Sequence, residues 1–177
     1  TGGDEESLLP VAGIILPGAA VVSPRGKVLE NGMPRFFRRL AEGVFDLEDL
    51  HLRTEELAKF IEKARVAYGL EGKRLVAAGY SNGANIAASI LLAHPGTFSR
   101  AALFHPMVPY VPERLPDLSG TDVLITAGTN DPLVDPDGTR ELAQLLRQSG
   151  ALVEVFWHDR GHSLTREELS AARTFLT

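Results

Sequence analysis

The stretch Arg74-Leu-Val-Ala-Ala-Gly-Tyr-Ser-Asn-Gly-Ala-Asn-Ile-Ala-Ala-Ser-Ile-Leu-Leu92 carries most of the information about the fold. Residues 74–78 form an apolar run of strand length, and residues 84–91 place apolar side chains throughout a segment of helical length. Between them stands Gly79-Tyr80-Ser81-Asn82-Gly83, which matches G-x-S-x-G. The stretch therefore predicts a buried strand that passes through a tight, glycine-flanked turn into a buried helix.

Similar apolar runs recur on both sides of this stretch, and they lack the clean alternation of a half-exposed strand. Such runs are typical of strands buried on both faces of a parallel sheet. Helical patterns separate most of them: an apolar stripe from Leu57 to Tyr68, a helix opened by Asp135-Pro136, and a last helix opened by a capping box at Thr165–Glu168. The predicted strands are residues 19–22, 74–78, 101–104, 123–127 and 152–157. We expect one α/β domain over residues 1–177, with three layers and a mostly parallel central sheet.

The segment from Arg25 to His51 interrupts this alternation. It contains apolar residues among arginines, and its pattern predicts no strand. A connection of this length in a compact domain is usually functional. Two interpretations stay open: an insertion beside the active site, or a helical insertion that only packs against the core.

Composition excludes several classes of function. The formal net charge of −5 argues against nucleic acid or an anionic membrane as a partner, because both select clustered Lys and Arg. No apolar run reaches the length of a membrane span. The absence of cysteine removes disulfides, cysteine-rich zinc sites and thiol nucleophiles, and it fits a cytoplasmic protein. We expect neither a cofactor nor a metal.

Ser81 is the candidate nucleophile. In a sharp strand-to-helix turn the serine is held in strained backbone geometry and its hydroxyl is exposed above the carboxyl edge of the sheet. We expect glycine at positions 79 and 83 because a Cβ at either one would collide with a neighbouring strand or helix. The N–H of Asn82, at the start of the helix, would point at a developing oxyanion.

A serine hydroxyl needs a base, and the base needs a group that orients it. Asp131 lies in the loop after the strand 123–127, and His162 lies in the loop after the strand 152–157. The order serine, acid, histidine is the one expected for this arrangement. Asp135 and Asp137 are alternatives to Asp131, but both look like first-turn residues of the next helix. His158 is the alternative to His162, but it ends its strand. His105, just past a strand end, is a structural residue or a pocket residue.

These motifs together resemble those of the phospholipase/carboxylesterase family of small α/β-hydrolases, in particular its small bacterial esterase branch, which is related to the acyl-protein thioesterases. The resemblance covers essentially the whole chain. It rests on the opening Thr1-Gly-Gly-Asp-Glu5, on G-Y-S-N-G-A-N at 79–85, on N-D-P-L-V at 130–134, on R-G-H-S-L at 160–164, and on Pro34-Arg-Phe-Phe-Arg-Arg39 as the insertion beside the active site.

The resemblance implies a carboxylesterase with Ser81, Asp131 and His162 as catalytic residues, and the N–H groups of Thr1 and Asn82 as oxyanion donors. We expect the substrate to be a small-molecule ester of small to medium acyl length. Thioesterase activity, lysophospholipase activity, a non-catalytic binding module and a homodimer are left open. The expected pocket residues, for which plain core packing is the alternative, are Phe36, Phe37, Phe45, Met107 and Val108.

The chain departs from the family pattern at its first residue. In the family, His-Gly precedes the residue that matches Thr1, and a central strand precedes that pair. That strand would lie between the predicted strands 19–22 and 74–78, and its loss would leave two open edges within the sheet. We therefore expect a segment of roughly one or two strands to precede Thr1 in the natural protein.

Overall fold

The computed structural model describes residues 1–177. Along the chain the elements are α1 (Leu9–Ile15), β1 (Val28–Glu30), β2 (Met33–Arg35), β3 (Arg39–Ala41), β4 (Val44–Phe45), α2 (Leu47–Ala67), β5 (Val76–Tyr80), α3 (Asn82–Ala93), β6 (Arg100–Phe104), β7 (Asp122–Gly128), α4 (Pro136–Gln148), β8 (Leu152–His158) and α5 (Arg166–Leu176). The centre is a four-stranded sheet in the order β5-β6-β7-β8, with every pair parallel.

Helices cover both faces of this sheet, and alternate strand residues point to opposite layers. Leu103 and Ile125 face a core that also contains the buried side chains of α3 and α4. Phe104 and Leu124 face the opposite layer, made by α1 and α5. The α2 helix packs outside α3. The expectation of a three-layer α/β fold with a parallel sheet is confirmed.

The predicted strands and helices after residue 57 agree closely with the structure. The strand expected at 74–78 is displaced to Val76–Tyr80, so that it runs up to the serine itself. Asp135 caps α4 by accepting the Asp137 N–H, and the capping box at Thr165 and Glu168 is present. None of the helices combines the length and the apolar character that a bilayer-spanning segment needs.

The strand predicted at Ala19–Val22 is wrong. Residues 19–27 have no regular secondary structure, and the side chains of Val21 and Val22 are exposed. An extended segment becomes a strand only when a neighbour completes its backbone hydrogen bonds, and no segment of this structure lies alongside residues 19–22 to do so. The strand β5 accordingly stands at one edge of the sheet.

The expectation of no strand between Arg25 and His51 is also wrong. This segment folds into two small antiparallel hairpins, β1–β2 and β3–β4, before α2 begins. The first hairpin turns at Asn31-Gly32, where both residues have positive φ (51° and 81°), as a two-residue type I′ turn requires. Gly26 lets the chain lie close to this hairpin, because a Cβ there would stand 2.1 Å from the Arg35 carbonyl carbon.

Candidate active site

The four parallel strands end at one edge of the sheet, and each is followed by a polar residue that faces a common site. Ser81 directly follows β5, His105 directly follows β6, Asp131 lies three residues after β7, and His162 lies four residues after β8. Ligands in open α/β sheets bind at this carboxyl edge. The fold alone therefore brings together four side chains that are distant in sequence.

Ser81 stands on a strained turn. Its backbone adopts φ 53° and ψ −115°, outside the regions that a residue with a Cβ normally occupies, at a cost of about 1–3 kcal/mol. The turn is held on both sides: the Ser81 N–H donates to the Phe104 carbonyl at 2.8 Å, and the Ser81 carbonyl accepts the Asn85 N–H at 3.0 Å. Neighbouring elements thus fix the hydroxyl above the sheet.

The two glycines of G-x-S-x-G differ in what they do. A Cβ on Gly79 would lie 2.4 Å from the carbonyl oxygen of Gly83, which is backbone and cannot move aside. A Cβ on Gly83 would meet nothing outside its own helix closer than Phe36 Cε2, at 3.7 Å, which is ordinary van der Waals contact. The expected collision is confirmed at position 79, and the expectation of a collision at position 83 is wrong.

This difference predicts opposite results for two matched variants. Gly79→Ala should destabilise the protein by about 3 kcal/mol, because the new methyl overlaps backbone atoms. Gly83→Ala, in the first turn of α3, should stay within about 1 kcal/mol of the wild type because alanine favours the helix. Urea unfolding of both variants checks this, and equal losses of stability would contradict the packing argument.

Ser81, His162 and Asp131 form one hydrogen-bonded row. His162 Nε2 lies 2.9 Å from Ser81 Oγ, and His162 Nδ1 lies 2.7 Å from Asp131 Oδ2. The Tyr80 hydroxyl donates to the His162 carbonyl at 2.7 Å and so holds the histidine loop against the end of β5. Asp135 and Asp137 lie at the start of α4, and His158 ends β8, so none of these rivals takes part in the row.

Asp131 uses both carboxylate oxygens. Oδ1 accepts the backbone N–H groups of Leu133 and Val134, at 2.8 and 3.2 Å, while Oδ2 faces His162 and also His105 Nδ1, at 2.8 Å. Burial of this side chain raises its pKa, but the N–H of Leu133 and the two imidazoles outweigh burial, and the pKa of Asp131 falls below its ordinary value. The carboxylate is therefore kept ionised and fixed in orientation.

Behind Asp131 lies a second set of polar side chains whose joint role the sequence did not reveal. His105 and Glu168 are fully buried, and His105 Nε2 lies 2.9 Å from Glu168 Oε1. The ring nitrogen is poorly directed at that oxygen, so the contact is a close approach and not a well-formed hydrogen bond; it is an ion pair only where the ring is protonated. Glu168 also accepts from the Thr126 hydroxyl and the Thr165 N–H, at 2.6 and 2.7 Å. The capping-box motif located Glu168 but gave no sign that its carboxylate reaches the site.

Glu168 should make stability depend on pH. Burial raises its pKa, but contacts with His105, Thr126 and Thr165 lower it from 4.5 to about 2. Because the folded pKa is the lower one, the carboxylate stabilises the fold fully above pH 4.5, and this stabilisation is lost as the pH falls towards 2.

We therefore expect Glu168→Gln to lose about 3 kcal/mol of unfolding free energy at pH 7, and the difference from the wild type to shrink towards pH 3. The matched control is Glu167→Gln, an exposed neighbour in the same helical turn. Urea titrations at several pH values measure both variants. A loss that is the same at pH 7 and pH 3 would show that shape, and not charge, explains the effect.

Two groups of three side chains have metal-ligand atoms close together: His105, Asp131 and His162, and His105, His158 and Glu168. The nitrogen and oxygen atoms in the first group already touch at 2.7–2.8 Å. Ligands that share a zinc ion each lie about 2.0–2.2 Å from it, which spaces tetrahedral neighbours more widely than a direct hydrogen bond. The geometry of this first group thus fits proton sharing better than metal binding.

The two predicted oxyanion donors differ in their surroundings. Asn82 is the first residue of α3, so its backbone N–H has no acceptor within the helix and lies beside Ser81. Thr1 is exposed and held by the hairpins: its hydroxyl accepts from Arg35 Nη1 at 2.6 Å, and Gly2 N–H donates to the Pro34 carbonyl. Thr1 makes no hydrogen bond with Ser81 or Asn82, and its role stays a prediction.

Two predicted pocket residues are fixed beside the elbow by asparagines of the first turn of α3. The Asn82 side-chain oxygen accepts the Phe36 N–H at 2.7 Å, and the Asn85 side-chain oxygen accepts the Met107 N–H at 2.7 Å. The Phe36 ring lies next to Gly83, and Met107 Cε lies near Gly43 in the turn between β3 and β4. The hairpins therefore reach over the same helix end that carries the nucleophile candidate.

The other three predicted pocket residues belong more to the core. Phe37 has no exposed surface and packs with Leu50 and Ile86, so its assignment as a pocket residue is wrong. Its ring meets that of Phe45 edge to face at 5.0 Å, and Phe45 is only partly buried. Val108 packs against the main core. Aromatic residues in a run do not reveal which of them faces inward.

Known proteins of similar sequence and structure cover nearly the whole chain. A carboxylesterase of Bacillus cereus superimposes with a TM-score of 0.96 at 50% identity, with 98% of this chain and 82% of that chain covered. A carboxylesterase from Mesorhizobium loti superimposes with a TM-score of 0.93 at 33% identity, over 99% of this chain and 84% of that one. The protein MhqD of Bacillus subtilis (strain 168) is 50% identical over 173 residues, which are 98% of this chain and 86% of MhqD.

A parallel sheet between helical layers, with a serine on a strained strand-to-helix turn and a histidine within reach of it, defines an α/β-hydrolase. The sequence pattern of the Dienelactone hydrolase family matches residues 38–173, and the chain belongs to that family. The expected membership of the phospholipase/carboxylesterase family is not confirmed.

Proposed function

We propose that this protein is a serine esterase that cleaves carboxylic esters of small to medium acyl length through an acyl-enzyme intermediate. The observation that supports the proposal is the row from Ser81 Oγ through the His162 ring to Asp131 Oδ2, with contacts of 2.9 and 2.7 Å. The solved carboxylesterases that resemble the chain at 50% and 33% identity support the same chemistry.

In the first half of the reaction, His162 Nε2 takes the proton of Ser81 while Oγ forms a bond to the ester carbonyl carbon. Negative charge collects on the former carbonyl oxygen, where the free N–H of Asn82, and of Thr1 as second donor, would stabilise it. The tetrahedral carbon then expels the alcohol, which takes the proton from His162. An ester of Ser81 and free alcohol remain.

In the second half, water replaces the alcohol. His162 takes a proton from water, the hydroxide adds to the acyl carbon, and Ser81 Oγ leaves with that proton. Asp131 keeps its negative charge throughout, fixes the Nδ1–H tautomer of His162 and stabilises the imidazolium. Two carboxylate oxygens with four donors hold Asp131 in the orientation that this role needs.

Phe36 and Met107 are the proposed walls of the acyl pocket, because both are tied to the first turn of α3. We treat residues 25–51, the two hairpins and the start of α2, as an insertion beside the active site within one domain. The same proposal includes a place in the bacterial esterase branch of the phospholipase/carboxylesterase family. It also includes a cytoplasmic location, because the chain has no cysteine.

A panel of p-nitrophenyl esters of rising acyl length, with acyl thioesters of the same lengths, tests the substrate class. We expect kcat/KM to peak at short or medium oxygen esters. A fluorophosphonate probe tests the mechanism separately, and mass spectrometry should find it on Ser81. A chain that neither hydrolyses the panel nor takes up the probe would be a binding module on the same fold. A preference for thioesters would change the substrate class and leave the proposed mechanism unchanged.

A further inference from the structure

His105 is fully buried at the centre of the site, and its backbone is strained. Only three residues other than glycine have a positive φ: Asn31, Ser81 and His105, at 51°, 53° and 51°. Asn31 stands in a hairpin turn that requires this conformation, and Ser81 is the proposed nucleophile. His105 is the remaining one. A strained residue persists only where its surroundings fix it, and such residues gather at functional sites.

The ring of His105 lies between two buried carboxylates. Nδ1 is 2.8 Å from Asp131 Oδ2, and Nε2 is 2.9 Å from Glu168 Oε1. An ionised carboxylate only accepts hydrogen bonds, so the contact with Asp131 needs a hydrogen on Nδ1. Nε2 makes no well-directed hydrogen bond, but a lone pair there would face the negative charge of Glu168 at 2.9 Å, so a hydrogen on Nε2 is favoured as well. That form of the ring is the imidazolium.

The other groups that face His105 come from every neighbouring element. Tyr80 at the end of β5, His158 at the end of β8 and His162 in the following loop have ring centres 5.9, 5.4 and 5.0 Å away. His158 Nδ1 accepts the Arg160 N–H, which leaves its Nε2 to face Glu168 at 3.4 Å. No Lys or Arg forms an ion pair with Asp131 or Glu168.

We propose that His105 is a positioning residue of this hydrolase: a buried imidazolium that shares Asp131 Oδ2 with His162 and, balanced by Glu168, sets the charge behind the catalytic base. This inference rests on the proposed esterase function. Two carboxylates and one imidazolium leave one net negative charge next to His162, enough to stabilise its protonated form during turnover without holding the proton too tightly.

The direction of the titration agrees with this geometry. Burial disfavours the charged ring, but the contacts with Glu168 and Asp131 outweigh burial and raise the pKa of His105 above its ordinary value. Glu168 is in turn ionised at any pH near neutrality, since its pKa lies at about 2. Removing His105 would therefore leave two unbalanced carboxylates behind His162.

The test is the pH dependence of kcat/KM for p-nitrophenyl acetate in a charge-compensated pair of variants. His105→Asn should move the acidic midpoint of the profile upward by about one pH unit, because the base then faces two negative charges. His105→Asn combined with Glu168→Gln restores a single negative charge, and its midpoint should return to within about 0.3 units of the wild type. Thermal melts of each variant report stability separately.

A purely structural role predicts something else. Both the single and the double variant would then lose turnover, and the acidic midpoint would stay at the wild-type pH in each. That outcome would overturn the proposal, as would a double variant whose midpoint stays as high as that of the single one.

The protonation state can also be read in the wild-type protein, where no variant has to fold. Nitrogen-15 NMR of histidine-labelled protein should show both ring nitrogens of His105 protonated from pH 6 to pH 8; a neutral His105 over that range overturns the proposal. This NMR measurement does not depend on catalytic activity. Absence of both fluorophosphonate labelling and ester hydrolysis would instead contradict the proposed esterase function. Failure of the His105 proposal and failure of the esterase proposal are therefore distinguishable.

Discussion

Ser81→Ala is expected to lower kcat for ester hydrolysis by a factor of about 10⁴ to 10⁶. The substitution removes the only atom that can attack the carbonyl, while Asn82 N–H and the pocket remain to bind substrate. KM should therefore change far less than kcat. The variant should also take up no fluorophosphonate at residue 81, because the probe bonds to the same oxygen.

The fold should survive this change. Ser81 Oγ makes one hydrogen bond, to His162, and the strained backbone is held by the contacts of Ser81 N–H and carbonyl, which alanine keeps. We expect an unfolding free energy within about 1 kcal/mol of the wild type. Ser170→Ala, on the exposed face of α5, is the matched control and should leave activity intact. Substantial turnover by Ser81→Ala would remove Ser81 from its proposed role.

Much of this site could be predicted from sequence because parallel strands bring their carboxyl ends to one edge. Once the apolar runs before Ser81, Asp131 and His162 were assigned to one parallel sheet, their proximity followed without any distance information. The order of the three residues and the glycine at position 79 added independent support. The contacts of 2.7 and 2.9 Å are the consequence of that topology.

His105 shows where such reasoning stops. It follows β6 as directly as Ser81 follows β5, so the same rule placed it at the same edge. No motif indicated its partner, because Glu168 is reached only through the packing of α5 across the sheet, and a capping box fully explains a glutamate at that position. The pairing depends on tertiary contacts that no local pattern records.

The hairpins between Val28 and Phe45 were missed for a different reason. Their strands are only two or three residues long, too short for periodicity to be visible. Asn31-Gly32 was a usable signal, since this dipeptide strongly favours a type I′ turn between strands. The strand wrongly predicted at Ala19–Val22 is the opposite case: the residues favour a strand, but a strand also needs a hydrogen-bonding neighbour, and composition cannot tell whether one exists.

His162→Gln is the second decisive variant, and it should lower kcat by a factor of about 10⁴ to 10⁶. Glutamine can still donate a hydrogen bond to Asp131, but its amide cannot take a proton from Ser81, so both halves of the reaction lose their base. The rate of fluorophosphonate labelling should fall with kcat, because that step also needs a base to take the proton of Ser81. Steady-state kinetics and labelling rates at pH 7.5 measure the two effects together.

Two other histidines make the result specific. His94→Gln alters a surface residue at the end of α3 that contacts only Glu55 among ionisable groups, and it should leave kcat unchanged. His158 is the rival base in sequence, four residues away, but its ring faces Glu168 at 3.4 Å and makes no hydrogen bond to Ser81. If His158→Gln abolished turnover while His162→Gln kept it, the imidazole that activates Ser81 would have been wrongly assigned, and the hydrogen-bonded row would not be the catalytic one.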